Sequence, residues 1–96
     1  MAIQFTAFEN LSVSTSSVSF TAATYDEADY ALIFVDGGSV RCRFDATAPT
    51  ASVGIQFDSG DYIELESNTE ITRARFISED GSTVTLHTNF GKQGGT

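Results

Sequence analysis

Four of the five basic residues stand as two pairs, Arg41 with Arg43 and Arg73 with Arg75. On an extended strand a spacing of two sends both guanidiniums to the same side, and each can fork onto a carboxylate through two parallel hydrogen bonds. The chain carries thirteen Asp plus Glu and a formal charge of -8. Ion pairing, inside the molecule or with the acidic surface of a partner, is therefore the chemistry these pairs predict. The same charge balance opposes phosphate backbones, so nucleic acid is not expected as a partner.

The other reactive residue types are sparse or scattered. His87, the one histidine, lies between Thr85 and Asn89 on a polar strand face. It would act as a base or metal ligand only if acidic residues converged on it, and it reads as a surface imidazole. Asp58 with Asp61 and Glu64 with Glu66 could be drawn as an acid and base or as calcium ligands, but the first pair has the composition of an ordinary β-turn and the second recurs on one solvated face. Cys42 is the only cysteine, which excludes an internal disulfide and a cysteine-based zinc site. It alternates with Val40 and Phe44 and reads as core. The acidic run Asp26-Glu27-Ala28-Asp29 has no GxxxxGK loop to accompany it, and Gly37-Gly38 opens a strand rather than a helix, so neither serves a nucleotide. The serines of residues 11–19 include no GxSxG elbow. No cofactor, no metal and no enzymatic activity are expected.

Two-residue alternation dominates the chain, and no window keeps apolar residues at helical spacing for three turns. Ile3, Phe5 and Ala7 begin a strand whose pattern Phe8 breaks; Val18, Phe20 and Ala22 suggest a second. Residues 30–35, YALIFV, have no polar face: Tyr30, Leu32 and Phe34 point one way and Ala31, Ile33 and Val35 the other, so both sides need cover. The turn Asp36-Gly37-Gly38-Ser39 leads to a strand with Arg41 and Arg43 on one face. A stiff loop around Pro49 follows, then strands over 53–57 and 62–66, and two more over 71–77 and 83–90. Read locally, the turns at 36–39, 58–61 and 79–82 close three hairpins. The prediction is an all-β fold, a small antiparallel β-sandwich or jelly-roll-like barrel of about seven or eight strands, forming one domain over 1–90 with a frayed polar tail at 91–96. No run of eighteen apolar residues and no secretion leader is visible, which predicts a soluble protein without a membrane partner.

Residues 31–65, ALIFVDGGSVRCRFDATAPTASVGIQFDSGDYIEL, followed by Arg75-Phe76-Ile77 and a last short strand, resemble a group of small virion proteins of tailed bacteriophages; the similarity spans residues 28–90. The arginine strand, the Pro-Thr-Ala-Ser loop, the glycine-led strand and the Gly-Asp turn carry it. The chain departs from that group at Cys42, where an aromatic is common, and near Ala46, where a glycine is. The resemblance implies a β-sandwich built into the virion in many copies after synthesis in the host cytoplasm. The first role it implies is a head-decorating cement protein, a homotrimer contacting the major capsid protein or another virion protein; a neck, tail or fibre component is the alternative. A carbohydrate-binding module is a third reading, with Tyr25, Tyr30 and Tyr62 as stacking residues in a chain without Trp. The expected interface comprises Arg41, Arg43, Arg73 and Arg75, the rigid loop residues Pro49 and Thr50, and the apolar strand residues Tyr30 and Phe34.

Overall fold

The computed structural model describes residues 2–94. Its elements, in chain order, are β1 (Ala2–Val13), α1 (Ala22–Tyr25), β2 (Tyr30–Asp36), β3 (Val40–Arg43), β4 (Ile55–Phe57), β5 (Tyr62–Leu65), α2 (Asn68–Arg73), β6 (Arg75–Ser78) and β7 (Val84–Gly94). The strands form two antiparallel sheets: sheet A in the order β1-β7-β2-β5 and sheet B in the order β4-β3-β6. The predicted all-β sandwich is the fold.

The alternating residues build the core from both sides. Leu11 and Val13 of β1, Ile33 and Val35 of β2, and Val84, Leu86 and Phe90 of β7 face Val40 and Cys42 of β3 and Phe76 of β6, all buried. Phe20 closes the gap between the sheets, its ring edge-on to Phe76 at 5.2 Å and to Phe90 at 5.1 Å. Each such aromatic contributes about 1.5–3 kcal/mol by burial alone. Thr88 is the polar exception inside sheet A, and its hydroxyl is satisfied by donating to the Leu86 carbonyl at 3.2 Å.

The three expected hairpins are a correction. The turn at 36–39 joins β2 of sheet A to β3 of sheet B, that at 58–61 joins β4 of sheet B to β5 of sheet A, and that at 79–82 joins β6 of sheet B to β7 of sheet A. All three are arches between the layers. Glycine supplies the same positive φ to either connection, as Gly37 does at +98°; what selects the arch is that each flanking strand buries its apolar face against the other sheet. The first two arches lie side by side, tied by the Ser39 hydroxyl donating to Asp58 Oδ1 at 2.7 Å and by Gly60 N–H donating to the Val35 carbonyl at 2.8 Å.

Two expected strands are replaced. Residues 18–22 make only the isolated bridge Val18 to Phe76, because Phe20 turns into the core and Ala22 starts α1; the segment touches β6 of sheet B and the chain then returns to sheet A as β2. Residues 71–73 belong to α2, not to a strand. Ser67 caps this helix by accepting from Glu70 N–H at 3.1 Å, and the Glu70 carboxylate accepts from Glu66 N–H at 2.8 Å, a local network that overrides the strand pattern. This also explains why Ile71 and Phe76 are both buried despite an odd spacing.

The expected tail is likewise shorter. Residues 91–94 continue β7 and pair with Phe5, Gln4, Ile3 and Ala2, with Asp29 Oδ1 accepting from Gln93 N–H at 2.8 Å; residues 95–96 lie outside the described residues.

Candidate docking surface

The predicted interface residues do not form one surface. Arg41, Arg43 and Arg75 project from the outer face of sheet B, and Arg73 ends α2. Thr50 is exposed in the loop, but Pro49 is buried within the chain, which removes it from contact with a partner. Tyr30 and Phe34 lie on the outer face of sheet A, on the other side of the sandwich. The structure thus divides the expected site into two faces of different chemistry.

The outer face of sheet A is the apolar one. On β1 the register with β7 shifts between Phe5 and Ala7, leaving Thr6 as an extra residue. A bulge of this kind reverses the alternation beyond it, so Phe5 and Phe8 share the outer face. Phe8 stands opposite Asn89, which stands opposite Leu32, which stands opposite Glu64; in the next row come Asn10, His87, Phe34 and Tyr62. Phe8, Leu32, Phe34, Tyr62, His87 and Asn89 line an open hollow of about 310 Å³. Phe8 is 52% exposed and Tyr62 64%, large values for aromatic side chains on regular strands.

The face is held rigid by its own packing. The Phe34 ring lies 5.0 Å from Tyr62 and 6.2 Å from His87, and Phe5 lies 6.1 Å from Tyr30. Tyr30 is itself buried under this layer. Its hydroxyl donates to Glu64 Oε2 at 2.5 Å, and that bond, reinforced by burial and by the charges of Glu64 and Glu66, pushes its pKa up to about 12. Tyr30 therefore supports the surface rather than forming it. Asp36, Glu64 and Glu66 rim the face, and among the described residues its strands direct no Lys or Arg to this side.

The outer face of sheet B is basic and largely self-paired. Arg41 Nη2 donates to Glu79 Oε1 at 2.9 Å and its Nη1 to the Gly54 carbonyl at 3.1 Å. Arg43 forks onto Asp45 at 2.6 and 3.1 Å, which holds the Asp45 carboxyl below its ordinary range. The predicted ion pairing thus occurs inside the molecule for β3. Arg75 stands directly opposite Arg43 and donates to the Thr72 and Ala74 carbonyls at 2.9 Å each. Among the described residues neither Arg73 nor Arg75 has a carboxylate within ion-pair distance.

His87 Nε2 lies 3.1 Å from Asp36 Oδ2. Its neighbours in register are Asn10 and Phe34, neither a nucleophile. Cys42 is fully buried, and burial raises its thiol to about 12; a thiol so placed is inert. Among the described residues no cluster of three or more His, Cys, Asp or Glu is placed to hold a metal ion.

Sequence reasoning did not assign Phe8 to a surface and weighed Tyr62 only as a sugar-stacking residue. The break in alternation at Phe8 was the available signal, since two aromatics three apart on a strand share a face only across a bulge. Comparison with protein-family models, curated proteins and solved structures finds no match.

Proposed function

We propose that this chain is a non-enzymatic structural subunit of a tailed-bacteriophage particle, a head-decorating cement protein incorporated in many copies through the outer face of sheet A. The virion setting rests on the sequence resemblance. The contact role is supported by one observation: Phe5, Phe8 and Tyr62 stand exposed together on the rigid strands of one face. Such side chains lose little conformational freedom on docking, and each 100 Å² of apolar surface they remove from water contributes roughly 2.5 kcal/mol. Repeated over many sites, small contacts of this kind stiffen a shell against pressure from within.

A neck, tail or fibre subunit is the second reading, favoured by the opposed chemistry of the two outer faces, which suits subunits arranged in series. Counting copies in purified particles separates the two, since decoration requires hundreds and a neck or tail tip a few to a dozen. Particles lacking the protein should lose heat and osmotic tolerance, and particles carrying only a Phe8→Ser, Tyr62→Ser variant should resemble them. Unchanged tolerance in both would remove the cement role.

A further inference from the structure

We propose that the occupant of the outer face of sheet A is the arginine-bearing outer face of sheet B on a second copy of this chain, a head-to-tail contact. The inference rests on the contact reading above and names its partner. Each face lacks what the other offers. Sheet A presents exposed Phe8 and Tyr62 with Glu64, Glu66 and Asp36 around them and, among the described residues, no Lys or Arg directed to that face. Sheet B and the end of α2 present four arginines against two paired carboxylates, Asp45 and Glu79, with Arg73 and Arg75 free of any carboxylate among the described residues. Half-buried Ile77 lies in register beside Arg41, giving this face an apolar centre.

A guanidinium meets the aromatic face on both of its terms. It stacks flat on Tyr or Phe rings and forks onto a carboxylate at their edge. The symmetric alternatives fail on charge. Sheet A against its own copy would bring Asp36, Glu64 and Glu66 against like charges, and sheet B against its own copy would do the same with arginines.

Geometry then fixes the form of assembly. The two faces are on opposite sides of a two-layer sandwich, so every copy added leaves the same pair of faces free. Such a heterologous contact propagates as an open stack and does not close into the trimer that the resemblance implies.

Sedimentation analysis of the full chain over increasing concentration tests this. Expected is a mass that climbs past three protomers without a plateau at about 0.05 M salt and falls toward 10.3 kDa at about 0.5 M. Phe8→Ser with Tyr62→Ser disables one face; Arg73→Glu with Arg75→Glu disables the other. Each should weaken self-association at least about tenfold, and a mixture of the two should give a species of two protomers and nothing larger, because only one good contact remains. Because Arg75 also holds backbone carbonyls, Arg73→Glu alone serves as the variant that leaves the fold untouched. An arginine variant that still self-associates as strongly as the parent overturns the head-to-tail contact. A parent that stays monomeric, while Phe8→Ser, Tyr62→Ser particles lose the protein, overturns the second-copy occupant but leaves the docking face intact; incorporation unaffected by those substitutions overturns the docking face as well.

Discussion

Phe5 and Phe8 stand three positions apart on β1 and project from the same side of sheet A, because Thr6 is an extra residue in the ladder with β7. That one insertion turns a half-apolar edge strand into part of a continuous aromatic surface.

If Phe8 serves contact and not folding, its removal should leave the protomer stable. Phe8→Ser, at 52% exposure, should change the unfolding free energy by no more than about 1 kcal/mol. Phe76→Ala, which empties a fully buried site touching Phe20 and Phe44, should cost about 3–5 kcal/mol. Urea denaturation of the two variants side by side measures the contrast; equal losses would show that the outer aromatics are part of the core.

At Gly91 the backbone of β1 leaves no room for a side chain on β7. A Cβ built there would lie 2.5 Å from the Gln4 carbonyl oxygen, so Gly91→Ala must push β1 aside next to the bulge. The expected loss is about 1–3 kcal/mol, with amide exchange accelerating in residues 2–5 before the rest of sheet A. Exchange unchanged in that segment would contradict the close approach.

Arg41 is anchored to two separate parts of the chain. Its Nε is buried without a partner while its two terminal nitrogens reach Glu79 and Gly54. Glu79→Gln keeps the shape and removes the charge, and should cost roughly 1–3 kcal/mol by leaving a half-buried guanidinium uncompensated. Thermal unfolding reads this directly, and an unshifted midpoint would mean the pair is solvated in practice.

Alkaline pH should unfold the domain through two neutral acids. Burial raises the Cys42 thiol from an ordinary 9.0 to about 12, and the hydrogen bond to Glu64 with burial raises Tyr30 from 10.0 to about 12. Both folded-state values are raised, so the stability they contribute is complete below the unfolded values and is lost as pH climbs from about 9 toward 12. Tyr30→Phe should remove one of three tyrosine contributions to the phenolate absorbance, the one that develops toward pH 12, and Cys42→Ala should flatten the first part of the decline. A stability flat across that range in the parent would contradict both assignments.

The residues explain how much of this was readable beforehand. Alternation placed Val40 and Cys42 in the core correctly, because burial on one face of a strand is written with a period of two. It could not choose partners: Gly37-Gly38 and Gly60 signal a tight reversal, and the same reversal serves a hairpin or an arch, the choice being made by residues of the opposite sheet. Ser67 and Glu70 were a helix-start signal just ahead of the strand-like run at 71–77 and outweighed its first residues locally. The arginines were legible as ion-pairing residues, but their placement on the opposite side from Tyr30 and Phe34 depended on the layer order, which no local pattern encodes. The aromatic face of sheet A was hidden at the bulge, where the period fails.

Hydroxyl-radical footprinting of Phe8, Phe34 and Tyr62 in the free protomer and in assembled particles addresses the contact surface most directly. Oxidation of Phe8 and Tyr62 should be rapid in the free protomer and suppressed at least about tenfold on assembly, while residues of the polar loop at 50–52 react alike in both. Equal reactivity of the aromatics before and after assembly would contradict the account.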